Sequence, residues 1–164
     1  MTSQTLEKVD HSAIKTNQLF IISLNVLAFV FNLPILAAAV ALTMGIGSAL
    51  KVPGFGFAYH FLLKPRGWMK PDVLDDNPQP HRFAQFVGFL FMTAGALSLF
   101  LGWNFLGWAL VWTVAALAAL NVFGGFCVGC AMYYWLARMG VPGFGKQPPA
   151  GVFPGMKPHA GEKI

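Results

Sequence analysis

The feature that most constrains this chain is where its charges are not. Eleven basic and six acidic residues are distributed over 164 positions, and none falls in the middle of any of four long apolar blocks. Lys8 and Lys15 precede the first block, and Arg138, Lys146, Lys157 and Lys163 follow the fourth. Lys51, Lys64, Arg66, Lys70 and Arg82 lie in the central loop or at its edge. The short connections inside each pair of blocks, Asn32-Leu33 and Gly102-Trp103-Asn104, hold no charge at all. A charged side chain at the centre of a bilayer is costly, and cytoplasmic loops carry the excess of Lys and Arg. This sorting predicts four membrane spans with both termini and the central loop on the cytoplasmic side. The acidic residues Glu7, Asp10, Asp72, Asp75, Asp76 and Glu162 fall in the same three segments.

Composition agrees. The chain is 56% apolar and 10% charged, whereas soluble domains average about 45–50% and about 25%. The net charge of +5 would suit nucleic acid if it formed a patch on a soluble domain. Placed between apolar blocks, it suits anionic lipid headgroups instead. The opening residues are polar and no small-residue cleavage site follows the first apolar run, so that run is expected to stay as a span rather than leave as a signal peptide.

The expected architecture is all-α. Spans cover about residues 17–31, 34–50, 82–101 and 105–122, arranged as two tandem hairpins in a parallel pseudo-repeat. Pro34 suits the first turn of a helix, where its missing N–H costs nothing. The first two arms are short for a hydrocarbon core of roughly 30 Å. Residues 1–16 read as an N-terminal tail, 51–81 as a cytoplasmic loop, and 139–164 as a disordered Gly/Pro-rich tail. Within the loop, Phe57 to Leu63 is apolar but too short to cross, and predicts an interfacial helix. The repeat is visible where Ala49-Leu50-Lys51-Val52-Pro53-Gly54 matches Ala119-Leu120-Asn121-Val122-Phe123-Gly124. A break and a short helix over 126–138 are therefore expected after the fourth span too, with Gly124-Gly125 as the break.

Chemistry concentrates in one motif, Phe126-Cys127-Val128-Gly129-Cys130, which holds both cysteines. Spacing of three puts the sulfurs on one helix face. A helix beginning after the glycines would place the pair at its N-terminus, where free N–H groups and the macrodipole favour thiolate. At about 1.5 Å per residue, a helix from Phe105 brings Cys127 to the cytoplasmic boundary of the hydrocarbon. The compartment there is reducing, which argues against a permanent structural disulfide. A helical pair of Cβ atoms sits about 5–6 Å apart, so closing a disulfide needs a local adjustment. If instead the helix runs through the glycines, the thiols pack as inert small hydrophobes, and Gly125, Gly129 and Cys130 suit close helix packing. Metal binding is the third reading: a structural zinc wants four ligands, there is no second such motif, and His60 and His81 would have to complete the set. All three readings stay open on the residues alone. No motif calls for a cofactor.

The remaining polar residues carry less. Gln18, Asn25, Thr43, Gln85, Thr93, Thr113 and Asn121 are expected to bond to neighbouring helices. The absence of a titratable group at depth counts against an ion-coupled transporter. His81 and Arg82, with Arg138, would hold an anion or, more simply, anchor the helix at the headgroups.

The string Pro80-His81-Arg82-Phe83-Ala84-Gln85, with the closing Gly125-Phe126-Cys127-Val128-Gly129-Cys130-Ala131-Met132-Tyr133 and the start Val9-Asp10-His11, resembles the bacterial membrane family called domain of unknown function 4395. The resemblance covers roughly residues 8–138. It implies a four-helix unit of the bacterial inner membrane, found beside thioredoxin-like or rhodanese-like partners. It puts weight on Cys127 and Cys130, then on Arg82 and Gln85. Three functions are therefore expected to compete. The first is thiol-redox or sulfane-sulfur handling, with Cys127 as nucleophile and Cys130 resolving. The second is a non-catalytic accessory subunit of a larger complex, and the third is a small, oligomeric, permease-like bundle.

Overall fold

A computed structural model of the chain describes residues 6–68, 70–149 and 151–158. The ends of both tails, 1–5 and 159–164, lie outside the described residues.

The chain is mostly helical. Helix α1 (His11–Val30) begins where the Asp10 carboxylate accepts the Ser12 N–H at 3.0 Å, an N-cap that satisfies an otherwise orphaned donor. Helix α2 (Pro34–Leu50) begins on Pro34 and ends at Lys51, which takes the left-handed conformation at φ +59°. A short helix α3 (Gly56–Ala58) runs into a π-helical turn at Tyr59–Leu63. Helix α4 (Pro78–Phe100) again opens on proline, and α5 (Asn104–Gly124) stops at Gly125, left-handed at φ +64°. There a side chain would be strained and glycine is not. Helix α6 (Val128–Arg138) follows at once. The break between the two helices lies at Gly125 to Cys127.

Two expectations need correction. The chain is not purely helical: β1 (Glu7–Asp10) pairs antiparallel with β2 (Val73–Asp76), Glu7 opposite Asp76 and Asp10 opposite Val73. Each strand is four residues, with three charged in β1 and two in β2, so neither shows a period, and the pairing joins distant segments. This ribbon also explains why α1 starts at His11 rather than near residue 17. The strand delivers Asp10 to the cap, and His11 N–H donates to Asp72 O at 2.8 Å.

Helix α1 packs on α2 and α5, and α4 packs on α2, α5 and α6. The shared core is built from Ile21, Val40, Met44, Met92, Leu99, Val111 and Val114 together with alanines. Close approach depends on small residues. A Cβ on Gly107 would fall 2.5 Å from Leu99 Cγ and 3.0 Å from Gly95 O, so α4 and α5 meet nearly backbone to backbone.

The outside of this bundle is as apolar as its inside. Val30, Ile35, Leu42, Phe100 and Phe105 are 60–91% exposed. In α1, α4 and α5, no more than a third of the apolar window is buried in the fold. Water does not tolerate such a surface at this extent, and lipid does. Among the described residues three helices, α1, α4 and α5, are long and apolar enough to cross a membrane; α2 is a shorter apolar helix of 17 residues.

Candidate functional site

The site forms where the polar ends of α1, α4 and α6 meet the ribbon. Its geometry starts from glycine. Gly129 lies so tightly on α4 that a Cβ there would come within 2.6 Å of Ala84 Cβ. That approach sets Cys130 Sγ 3.4 Å from Nδ1 of His81, one turn earlier on α4 than Gln85.

Cys127 is the N-cap of α6. Its backbone is extended (φ −95°, ψ 103°) rather than helical, and its sulfur accepts the Cys130 N–H at 3.2 Å. The extended residue supplies the adjustment that a helical pair lacks: the Cα atoms stand 5.2 Å apart and the two sulfurs are joined as a disulfide. Both cysteines are buried.

Behind the cysteines lies a histidine–carboxylate cluster in which Asp76 and His11 are buried and His81 is half-buried. His81 Nε2 is 2.9 Å from Asp76 Oδ2, and His11 Nε2 is 3.2 Å from the same oxygen but off the line of a good hydrogen bond. The two imidazoles meet edge to face at 5.5 Å. Asp76 Oδ1 accepts the Asn77 N–H at 2.7 Å. Burial by itself raises the Asp76 pKa, but the contacts with His11 and His81, the His81 charge and the Asn77 N–H outweigh it. The carboxyl is held well below the ordinary carboxylate range, so Asp76 stays ionised. Asn77 is itself buried and donates to Gln147 O at 2.9 Å.

The ribbon end of the cluster is locked by a second carboxylate. Asp10 accepts from Ser12 N–H and Asp72 N–H through Oδ1, and from the Tyr59 hydroxyl at 2.9 Å through Oδ2. Burial, reinforced by Asp10, pushes the Tyr59 phenol up to about 12, so it remains a donor. Thus the π-helical turn, the ribbon and the start of α1 hold one another in place.

A cavity of about 250 Å³ opens onto His11, Asp76, His81, Cys127, Cys130 and Tyr134. A second, of about 490 Å³, runs between the helices and reaches Cys127 and His81 from the apolar side. One wall of the first cavity comes from the segment read as a structureless tail. Cys127 N–H donates to Gly155 O at 2.7 Å, Lys157 N–H donates to Gly125 O at 3.1 Å, and Lys157 pairs with Asp72. Residues 153–157 thus strap across the motif.

The sequence-derived candidates separate accordingly. Cys127, Cys130 and His81 come together. His81 turns its ring inward to Asp76 and Cys130 rather than out to headgroups. Gln85 donates to Met44 O at 3.3 Å and Val52 O at 3.0 Å, pinning the end of α2. Arg82 and Arg138 are exposed, and among the described residues neither forms an ion pair. His60 is exposed beside Tyr59 and far in role from the cysteines; the second histidine of the cluster is His11. His11 and Asp76 carried no local signal, because each acquires its meaning only through the ribbon pairing.

Neither a curated protein nor a solved structure matches the chain. A family model does match, over residues 9–138, a stretch that contains His11, Asp76, His81 and both cysteines. The chain therefore belongs to the family described as a domain of unknown function, DUF4395.

Proposed function

We propose that this is a four-span protein of the bacterial inner membrane, both termini cytoplasmic, whose Cys127–Cys130 pair exchanges disulfides with a protein partner at the cytoplasmic face. Helices α1, α2, α4 and α5 form the spans as two successive hairpins, and α6 lies at the interface. All charge-bearing segments then share one side, as the positive-inside rule requires.

The observation that carries the reading is the pairing of an N-cap sulfur with a histidine-flanked one. Cys127, held against the Cys130 N–H at a helix N-terminus, has the environment of a low-pKa thiolate. Cys130, beside His81 Nδ1, has a base within reach whose ring is oriented by Asp76. Reduced Cys127 thiolate attacks a partner disulfide, forming the mixed disulfide and expelling one partner thiolate. His81 takes the Cys130 proton, Cys130 sulfur attacks Cys127 Sγ, and the second partner thiolate leaves. The pair ends oxidised, as it stands here, and the partner ends reduced. The reverse sequence reduces the pair. A thioredoxin-like protein, which carries its own exchangeable dithiol–disulfide pair, has the chemistry for this role.

Trapping tests it. Cys130→Ser expressed in its native membrane should accumulate a partner adduct that a reductant dissolves, and Cys127→Ser should not. No adduct, or equal adducts from both variants, would overturn the proposal.

A further inference from the structure

We infer that the reduced form of this cysteine pair, together with His81, is a binding site for one soft or borderline metal ion of the zinc type. The inference goes beyond disulfide exchange and needs only that the pair can be reduced.

Three facts point to it. First, Cys127 Sγ, Cys130 Sγ and a ring nitrogen of His81 lie within 4.8 Å of one another, each buried or half-buried. Tetrahedral zinc, with bonds of about 2.3 Å to sulfur and about 2.0–2.1 Å to nitrogen, sets such ligands about 3.5 Å apart. The Cys130 Sγ to His81 Nδ1 distance is 3.4 Å. Reduction frees the two sulfurs to open to the similar spacing that a shared ion imposes.

Second, His81 is dressed as a metal ligand. Nδ1 faces the sulfurs while Nε2 is bound at 2.9 Å to the buried Asp76 carboxylate, whose other oxygen is fixed by the Asn77 N–H. A carboxylate on the far nitrogen fixes the tautomer and raises the basicity of the ligating one. A histidine that only packed would not need a buried, ionised partner. His11, at 3.2 Å from the same carboxylate oxygen, adds a second imidazole behind the ligand shell.

Third, the ligand count is three, not four. Two thiolates and one imidazole leave one position for a further ligand, and the same three residues line the cavity of about 250 Å³. A structural zinc is closed by four protein ligands; three ligands plus an open place is the pattern of a site that exchanges its metal or activates a bound molecule. Two thiolates and a neutral imidazole nearly cancel the charge of a divalent ion, as a low-dielectric place demands. Binding releases the thiol protons, two per ion if both are protonated beforehand. Oxidation to the disulfide removes both thiolates at once, so the site holds metal only when reduced.

The test uses the full-length chain in detergent micelles, reduced by a phosphine without metal affinity, desalted anaerobically and titrated with Zn²⁺ against a chromophoric chelator. One equivalent should bind to reduced protein and none to oxidised protein. Co²⁺ in its place should give the thiolate-to-cobalt charge-transfer band of a tetrahedral site. Asp76→Asn should weaken Zn²⁺ binding by about 10–100-fold, the usual effect of losing a carboxylate that orients a ligating histidine. Absence of stoichiometric binding by reduced wild-type protein overturns the inference without any variant. So does Zn²⁺ affinity unchanged in His81→Ala, which would mean that the thiols alone collect the ion. A failed partner trap leaves the titration unaffected, so the two proposals fail separately.

Discussion

The two ends of the molecule are held together in different ways. The bundle of α1, α2, α4 and α5 rests on alanine and glycine contacts, with Gly95 and Gly107 bringing backbones together and with an exterior as apolar as its core. Among its buried polar side chains, Asn25 makes one long contact from Nδ2 to Met92 Sδ at 3.6 Å, and its Oδ1 has no partner. The cap formed by the ribbon, the start of α1, the start of α4 and α6 is the reverse. It buries Asp76, His11 and Asn77 and ties them across elements: Asp76 meets His81 and His11, and Asn77 donates to the Gln147 carbonyl. Lipid asks only that a helix be apolar and close-packed; a reactive centre asks for specified groups at specified distances. The first demand is met by composition and the second by long-range pairing.

Asp76→Ala should have the largest effect. It removes the common acceptor of His81, His11 and the Asn77 N–H. Breaking a buried pair in this way costs about 3–5 kcal/mol, measurable by reversible denaturation in micelles. The same carboxylate gives the cap a pH dependence. Its pKa is lowered on folding, so its contribution is complete at neutral pH, declines once pH falls through the unfolded value of about 3.9, and is lost below the folded value. Acid unfolding followed by tyrosine or tryptophan fluorescence should show that decline, and Asp76→Asn should flatten it.

Gly107→Ala probes the bundle instead. The added methyl must displace Leu99 or separate α4 from α5, an overpacking worth about 1–3 kcal/mol. Asn25→Leu should do least, within about 1 kcal/mol either way, since the residue gives up one weak contact and an unpaired oxygen. If Asn25→Leu proves as damaging as Asp76→Ala, the contrast between the two ends is wrong.

The same contrast explains what could be read in advance. Pro34 starts α2 and Gly125 ends α5 because proline and glycine act on their own backbone, within a residue or two. The apolar blocks coincide with helices for a similarly local reason. Gln85 was legible as a residue that bonds to a neighbouring helix, but not that its partners are the Met44 carbonyl of α2 and the Val52 carbonyl just beyond it, which lie far away in the sequence. His11 and Asp76 were invisible as site residues. They become neighbours of Cys130 through a ribbon linking Glu7 to Asp76, and neither strand is long enough to show a period. The strap at 153–157 likewise has no compositional mark, yet its Gly155 carbonyl accepts from Cys127.

Selective alkylation tests directly whether Cys127 is the cytoplasm-facing thiolate proposed above. In Cys130→Ser membranes, a membrane-impermeant maleimide applied to inside-out vesicles should label Cys127 with a pH midpoint well below the free-thiol value of about 8.5. Right-side-out vesicles should remain unlabelled until permeabilised. Labelling from the outer face, or a midpoint at or above about 8.5, would contradict the account.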